Sequence, residues 1–319
     1  MAEGRNRQNY DPVHEVQQCA KQLQRVYRLA AQRDASFLEL LGDVTERLDT
    51  ALEFDREAAL AASQSDSGLG YPQQHALQTA VWGGVLLALL EEQRAARRST
   101  IAAGLTANLS ILALQRELEG QSEPPSDQQR EQIREHPRHS ARLLEILGVE
   151  DPLWIRAVQE HHERLDGSGY PEGLAGEAIA RSALALGFAE AYSAMTTPRA
   201  HRKSQTPAQA LLELRGVSGQ HFPEEFVQRL LSMLGLYLPG TLVRLDDGSI
   251  AMAVRWGAGP REPQVCVLVA PNGRRIFQPL TVQSGSKGQP AVERGLPLGA
   301  VELPMNVSLV YGYTSTLWR

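Results

Sequence analysis

The chain has 319 residues, 42% of them apolar, and a formal net charge of −5. This length suits one large domain with a smaller one, and the apolar content supports a sizeable core. The acidic balance excludes a general attraction to nucleic-acid phosphates or to anionic lipid, so an anionic ligand would need a local cluster of Arg and Lys.

The N-terminal residues lack the apolar core of a signal peptide. The most apolar stretch, residues 81–90, is too short to cross a bilayer. The two cysteines, Cys19 and Cys266, lie far apart and outside any zinc-ribbon spacing, which argues against a disulfide framework. Together these features predict a cytoplasmic protein with no membrane segment and no nucleic-acid partner.

Residues 12–62 show a helical pattern, because apolar side chains such as Leu23, Val26 and Leu29 recur at steps of three and four. Core packing is the favoured interpretation of this stripe, and the alternative is a homodimer in which two copies of the chain pair through it. A run rich in Gly, Ser and Pro at residues 63–72 interrupts the pattern. An N-terminal helical segment is therefore expected over residues 1–70.

A second helical block is predicted over residues 71–238, where strand alternation is absent. Ser126 precedes Gln129 by the spacing of a capping box, which marks the start of a helix. This helix is expected to end near His136-Pro137, because proline disrupts a helix interior.

The pattern changes at Pro239-Gly240. Short runs of alternating apolar residues follow, and Asn272-Gly273 is a strong hairpin signal. The chain is therefore predicted to be mainly α, with a small β-rich C-terminal module over residues 239–319.

Four of the eight histidines lie in informative positions: His75, His136, His161 and His162. Adjacent helical residues point about 100° apart, so His161 and His162 can reach one cluster only if a metal lies between helices. Neutral imidazole is a common ligand for first-row metals. The alternative is a set of unrelated surface and capping histidines.

The segments around these histidines resemble the HD-GYP family. The most specific is H-H-E-R-L-D-G-S-G-Y-P at residues 161–171. The resemblance extends from about residue 71 to 254 through Y-P-Q-Q-H, R-E-H-P, L-G-F-A-E-A-Y-S-A-M-T-T-P-R and G-L-Y-L-P-G-T-L-V-R-L. It implies an HD-type helical bundle that hydrolyses cyclic di-GMP with two or three metal ions.

The resemblance also implies roles for individual residues. The positions of metal ligands are His75, His136, His161, His162 and Glu190, the last in place of the family's Asp. Tyr170, Arg199 and Arg202 fall at nucleotide-binding positions. The loop Gly169-Tyr170-Pro171 is where the family is thought to dock a diguanylate cyclase of the GGDEF type.

The sequence departs from the family at the pair of residues that names it. Ala107 stands at the His and Asn108 at the bridging Asp, and Ile111 replaces a Lys. Asn108 offers a neutral carbonyl oxygen as a poor substitute ligand. Tyr71 replaces the Glu of three-metal members. One divalent transition metal (iron, manganese or zinc) on His136, His161 and His162 is the expectation, and no metal at all is the alternative.

These departures predict a degenerate HD-GYP protein that acts by binding cyclic di-GMP or a protein partner, with little or no phosphodiesterase activity. One alternative is an active metal-dependent phosphodiesterase with an altered metal site, in which Glu163, Asp166 or water supplies the missing ligands. The other is a scaffold protein without a ligand.

Overall fold

The computed structural model describes residues 10–65, 68, 70–197, 204–277, 280–297 and 306–313. Arg199 and Arg202 lie outside the described residues. The prediction of a mainly α protein, with an HD-type bundle after an N-terminal helical segment and a small sheet at the C-terminal end, is confirmed.

The helices run in chain order as α1 Pro12–Gln32, α2 Ser36–Gln64, α3 Tyr71–Leu89, α4 Arg94–Thr106, α5 Leu112–Gly120, α6 Asp127–Ile146, α7 Pro152–Glu160, α8 Arg181–Thr196, α9 Pro207–Gly216, α10 Glu224–Leu234 and α11 Val307–Val310. The strands are β1 Leu242–Leu245, β2 Ile250–Gly259, β3 Glu262–Val269, β4 Thr281–Gln283 and β5 Val292–Gly295.

The apolar stripe of α1 and α2 is buried inside the chain. Leu23 and Val26 of α1 and Leu48 of α2 have no exposed surface, and they belong to one hydrophobic cluster with residues of α3 to α10. The stripe therefore packs into the core on which the site is built, as its favoured interpretation proposed.

The expected end of α6 at His136-Pro137 is wrong. The capping box of Ser126 and Gln129 starts the helix as predicted, but the helix continues through Pro137 to Ile146. Proline has no backbone N–H, so the carbonyl of Ile133, four residues earlier, loses its usual helical donor. The His136 ring occupies that carbonyl instead, with Nδ1 2.6 Å from the oxygen.

The five strands form an antiparallel sheet in the order β4-β3-β2-β1-β5. Asn272-Gly273 lies in the turn after β3, where Gly273 has a φ of 80° that favours glycine. The sheet is tied to α2 where that helix is interrupted at Asp55. Arg255 of β2 pairs there with both Asp55 and Glu57.

Helices α3 and α4 cross closely enough to require a glycine. A Cβ on Gly104 would lie 2.5 Å from the Cα of Ala80. Helix α3 carries His75, and α4 leads directly into Asn108, so this crossing fixes the spacing of two residues at the candidate site.

We expect Gly104→Ala to lower the free energy of unfolding by about 1–3 kcal/mol, because the added methyl group forces the two backbones apart. Gly42→Ala is the matched control: it lies within α2, where an added Cβ would meet no atom within 4 Å, and it should stabilise by up to about 1 kcal/mol through helix propensity. Urea denaturation measures both, and equal effects would contradict the close crossing.

Candidate metal centre

Five helices supply the candidate site. His75 lies in α3, Asn108 follows α4, His136 lies in α6, His161 and His162 follow α7, and Glu190 lies in α8. Most of these side chains line a cavity of about 250 Å³, together with Tyr71, Ile111, Ile133, Arg164 and Tyr170. The structure therefore brings together all five residues that the resemblance implies as ligands.

Backbone carbonyls fix the orientation of two of the histidines. His136 donates from Nδ1 to the Ile133 carbonyl that Pro137 leaves free. His161 follows the last residue of α7 and directs Nδ1 to the Val158 carbonyl at 2.6 Å, one of the carbonyls that a helix end leaves without a helical partner. A ring that donates from Nδ1 carries its lone pair on Nε2.

The Nε2 atoms of these two rings face each other. His136 Nε2 lies 3.3 Å from His161 Nε2, and the two form a group with His162 whose ligand atoms lie within 4.8 Å of one another. Two lone pairs at such a distance repel unless a cation lies between them. The three histidines thus suit a divalent metal, which would bind through their ring nitrogens.

Burial keeps the three imidazoles neutral. Desolvation lowers the pKa of His136 to about 4, assisted by the neighbouring His161. It also lowers the pKa of His161 and brings that of His162 well below its usual value. Neutral imidazole is the form that binds a metal, so burial prepares the cluster for a cation.

The Glu190 carboxylate adjoins this cluster. Its Oε2 lies 3.4 Å from Nε2 of both His161 and His162, and among the described residues no group donates a hydrogen bond to it. Burial raises the pKa of Glu190, whereas positive charge at His162 and His161 lowers it well below the usual value. Because these imidazoles are neutral, a cation bound to them would have to supply that charge. An ionised, unsatisfied oxygen beside imidazole nitrogens is a further feature that a cation would satisfy.

The other oxygen of Glu190 is hydrogen-bonded. Asn108 donates from Nδ2 to Oε1 at 2.8 Å, so the amide nitrogen, rather than the expected carbonyl oxygen, faces the carboxylate. His75 places Nε2 3.5 Å from the same oxygen and Nδ1 3.0 Å from Ser193 Oγ. This side of the site is held by hydrogen bonds, and the buried methyl group of Ala107 adds no ligand.

Neither Glu163 nor Asp166 is directed to the cluster as a replacement ligand. Glu163 accepts hydrogen bonds from the backbone N–H groups of Glu172 and Leu174 at 2.7 and 2.9 Å. Asp166 accepts from Ser168 at 2.9 Å for the backbone and 2.6 Å for the hydroxyl. Both carboxylates organise the loop that follows the histidine pair.

That loop places an aromatic ring over the site. Tyr170 stacks on His162, with ring centroids 4.5 Å apart and planes at 25°. Gly169 permits this approach, because a Cβ there would lie 2.5 Å from the carbonyl oxygen of His162. Pro171 follows through a cis peptide bond and is buried.

Sequence reasoning missed two residues of the site. Arg164 lines the cavity, although it lies inside the most specific motif; its position directly after His161-His162-Glu163 was the available signal. The part played by Pro137 was missed because proline was interpreted only as the end of a helix.

Comparisons with known proteins agree with this architecture. A family model described as "HD domain" matches residues 17–225. A cyclic di-GMP phosphodiesterase of Pseudomonas aeruginosa is 30% identical over 158 residues, which cover 49% of this chain and 38% of that protein. The cyclic di-GMP phosphodiesterase PdeB of Borreliella burgdorferi is 24% identical over 201 residues, covering 62% of this chain and 52% of that protein.

A solved structure of an HDG"Y"P protein from Bdellovibrio bacteriovorus superposes with a TM-score of 0.55 and 15% identity, covering 72% of this chain and 73% of the other, which shows a shared fold. The chain belongs to the HD domain family, and its resemblance to the HD-GYP proteins is confirmed. The matches span about two fifths to one half of the length of the two phosphodiesterases.

The family is metal-dependent, and the three-histidine cluster is a group that can hold a metal ion. Within the residues that the structure describes, no helix combines the length and apolar character needed to cross a membrane.

We expect the purified protein to bind about one divalent ion per chain, and His161→Ala to reduce that content at least about tenfold, because the cluster loses a ligand. His139→Ala is the matched control, since this histidine is exposed on α6. Elemental analysis measures the content. Unchanged metal in His161→Ala would contradict the assignment, and two tightly held ions would reveal further ligands.

Proposed function

We propose that this chain is a degenerate HD-GYP protein that binds cyclic di-GMP in the cavity and has little or no phosphodiesterase activity. The observation that carries the proposal is the hydrogen bond from Asn108 to Glu190. An amide donates a hydrogen bond at the position where the resemblance implies a carboxylate that bridges two ions.

The electrostatics of paired cations support this proposal. Ions about 3.5–4 Å apart repel strongly, and a bridging anion between them offsets that repulsion. Asn108 has no charge to contribute, and its amide occupies one oxygen of the remaining carboxylate, Glu190. A single iron, manganese or zinc ion on His136, His161 and His162, with Glu190 beside it, is the centre that these residues favour.

Such an ion would polarise a phosphoryl oxygen and acidify bound water. The protein's own contribution is to keep the three imidazoles neutral, to bring their ring nitrogens within 4.8 Å of one another and to place the Glu190 carboxylate beside them. Tyr170 and the ring of His162 provide an aromatic wall on which a guanine base can stack.

Two relatives support the choice of ligand, since the Pseudomonas and Borreliella proteins are cyclic di-GMP phosphodiesterases by name. Arg199 and Arg202 remain predicted phosphate-binding residues on the resemblance alone. The loop Gly169-Tyr170-Pro171 is proposed as a contact for a cyclase of the GGDEF type. We also propose the division into residues 1–70, 71–238 and 239–319 and a cytoplasmic location. Because the stripe of α1 and α2 is buried within the chain, it does not offer a surface for pairing of two copies.

A second candidate is an active phosphodiesterase with an altered centre. One observation favours it: the two oxygens of Glu190 face different parts of the site, Oε1 towards His75 at 3.5 Å and Oε2 towards His161 and His162 at 3.4 Å. A carboxylate in that position can bridge two ions in place of the lost Asp, if Asn108 turns away.

Hydrolysis of cyclic di-GMP should be at least about a hundredfold weaker than in an intact member of the family, because the bridged two-ion centre is lost. The double variant Ala107→His with Asn108→Asp should raise the metal content above one ion per chain and increase hydrolysis at least about tenfold. The control Ala107→His alone adds the imidazole without the bridging carboxylate, and should not increase hydrolysis.

The assay separates linear product from cyclic substrate by chromatography, with added Mn²⁺ or Fe²⁺. Turnover by the unaltered chain in the range of an intact phosphodiesterase would reject the degenerate centre and establish the second candidate.

Cyclic di-GMP should bind without being hydrolysed, and binding should weaken as salt increases, because charged contacts are screened. Arg199→Ala should weaken it about tenfold or more, since a guanidinium makes charge-assisted hydrogen bonds to phosphate. Calorimetry at low salt measures both effects. Absence of cyclic di-GMP binding by the unaltered chain would favour the alternative of a scaffold protein without a ligand.

A further inference from the structure

Arg164 contributes a positive charge to the wall of the cavity. It lies two residues after His162 and lines the same cavity as His75, Glu190 and Tyr170. Its position is fixed from two sides. Nη1 donates to the carbonyls of His161 and Glu163 at 3.3 and 3.0 Å, and the guanidinium lies 4.8 Å from the ring centroid of Phe222.

No carboxylate forms an ion pair with Arg164 among the residues that the structure describes, although the residue is partly buried. Burial lowers the pKa of Arg164, and the nearby Glu190 opposes this shift. Arginine stays charged over the range in which proteins function. A partly buried guanidinium whose hydrogen bonds go only to carbonyl oxygens keeps a charge and free donors that an anion from outside the chain can meet.

Other arginines of the same region are paired within the chain. Arg156 contacts Glu160 at 2.6 Å, and Arg181 contacts Glu92 and Glu225 at 2.7 and 2.6 Å. Both of Arg164's described hydrogen bonds involve Nη1. The edge formed by Nε and Nη2 is the pair of donors that matches a phosphate in a bidentate contact.

We propose that Arg164 is a ligand-binding residue that holds a phosphate group of the nucleotide in the cavity. This inference rests on the proposed function and names the phosphodiester as the group recognised. It also accounts for a deficit of positive charge, because Ile111 of the same cavity stands where the resemblance places a Lys. With that Lys and one cation absent, Arg164 neutralises phosphate in their place.

Calorimetry with cyclic di-GMP tests the proposal on the full chain. Arg164→Met should weaken binding about tenfold or more, and Arg164→Lys about fivefold, because lysine keeps the charge without the two-donor edge. Arg156→Met is the matched control: it also removes an arginine that donates to a backbone carbonyl, that of Ala178, but it does not line the cavity. Its affinity should stay within about twofold of the unaltered chain.

Uncharged guanosine separates phosphate binding from a structural role. Arg164→Met should bind guanosine as the unaltered chain does, with unchanged metal content, while its affinity for cyclic di-GMP falls. Equal losses for both ligands would assign Arg164 to the structure of the loop, and equal affinity for cyclic di-GMP in all variants would overturn the proposal outright. If Arg164→Met does not fold, the comparison of Arg164→Lys with the unaltered chain decides by the same criteria.

Failure of the proposed function gives a different result. If the unaltered chain does not bind cyclic di-GMP, thermal unfolding with inorganic pyrophosphate tests the anion site alone. Stabilisation of the unaltered chain and of Arg156→Met, but not of Arg164→Met, would retain the anion site and reject the nucleotide. No stabilisation of the unaltered chain would reject both.

Discussion

The site depends on the way in which backbone carbonyls orient imidazole rings. Pro137 frees the carbonyl of Ile133 for His136, and the end of α7 leaves the carbonyl of Val158 for His161. Both rings thereby direct Nε2 lone pairs to one point, 3.3 Å apart. Burial lowers the pKa of both histidines, so their rings stay unprotonated near neutral pH. A metal cation is therefore the species that best relieves the repulsion between the two lone pairs.

Asn108, which stands where the family has an Asp, alters the role that the other candidate ligands can play. In a centre with a bridging carboxylate, Glu190 and His75 would serve a second ion. Here the Asn108 amide satisfies one oxygen of Glu190, and the other oxygen adjoins the three-histidine cluster. A change of one acid to its amide thus favours one ion over two, and in the proposed function the cavity, Tyr170 and Arg164 provide the contacts to a nucleotide.

Contacts outside the histidine cluster hold the residues of the site in position. The close crossing of α3 and α4 at Gly104 fixes His75 relative to Asn108. Glu163 holds the following loop through two backbone N–H groups, so that Tyr170 stacks on His162. The Glu163 carboxylate and the helix crossing thus support the cavity from outside the centre, whereas the Tyr170 stack depends on His162 itself.

The sequence by itself determined the family, the mainly helical fold, the small sheet and the set of histidines, because these follow from periodicity, turn residues and a long specific motif. It could not determine which atoms face each other. The continuation of α6 through Pro137 involves a local contact of the His136 ring with the Ile133 carbonyl, which helix propensities do not describe. The donor role of the Asn108 amide and the position of Arg164 depend on contacts with Glu190 and Phe222, which are far away in the chain. Such contacts are set by packing, and local sequence rules carry no information about them.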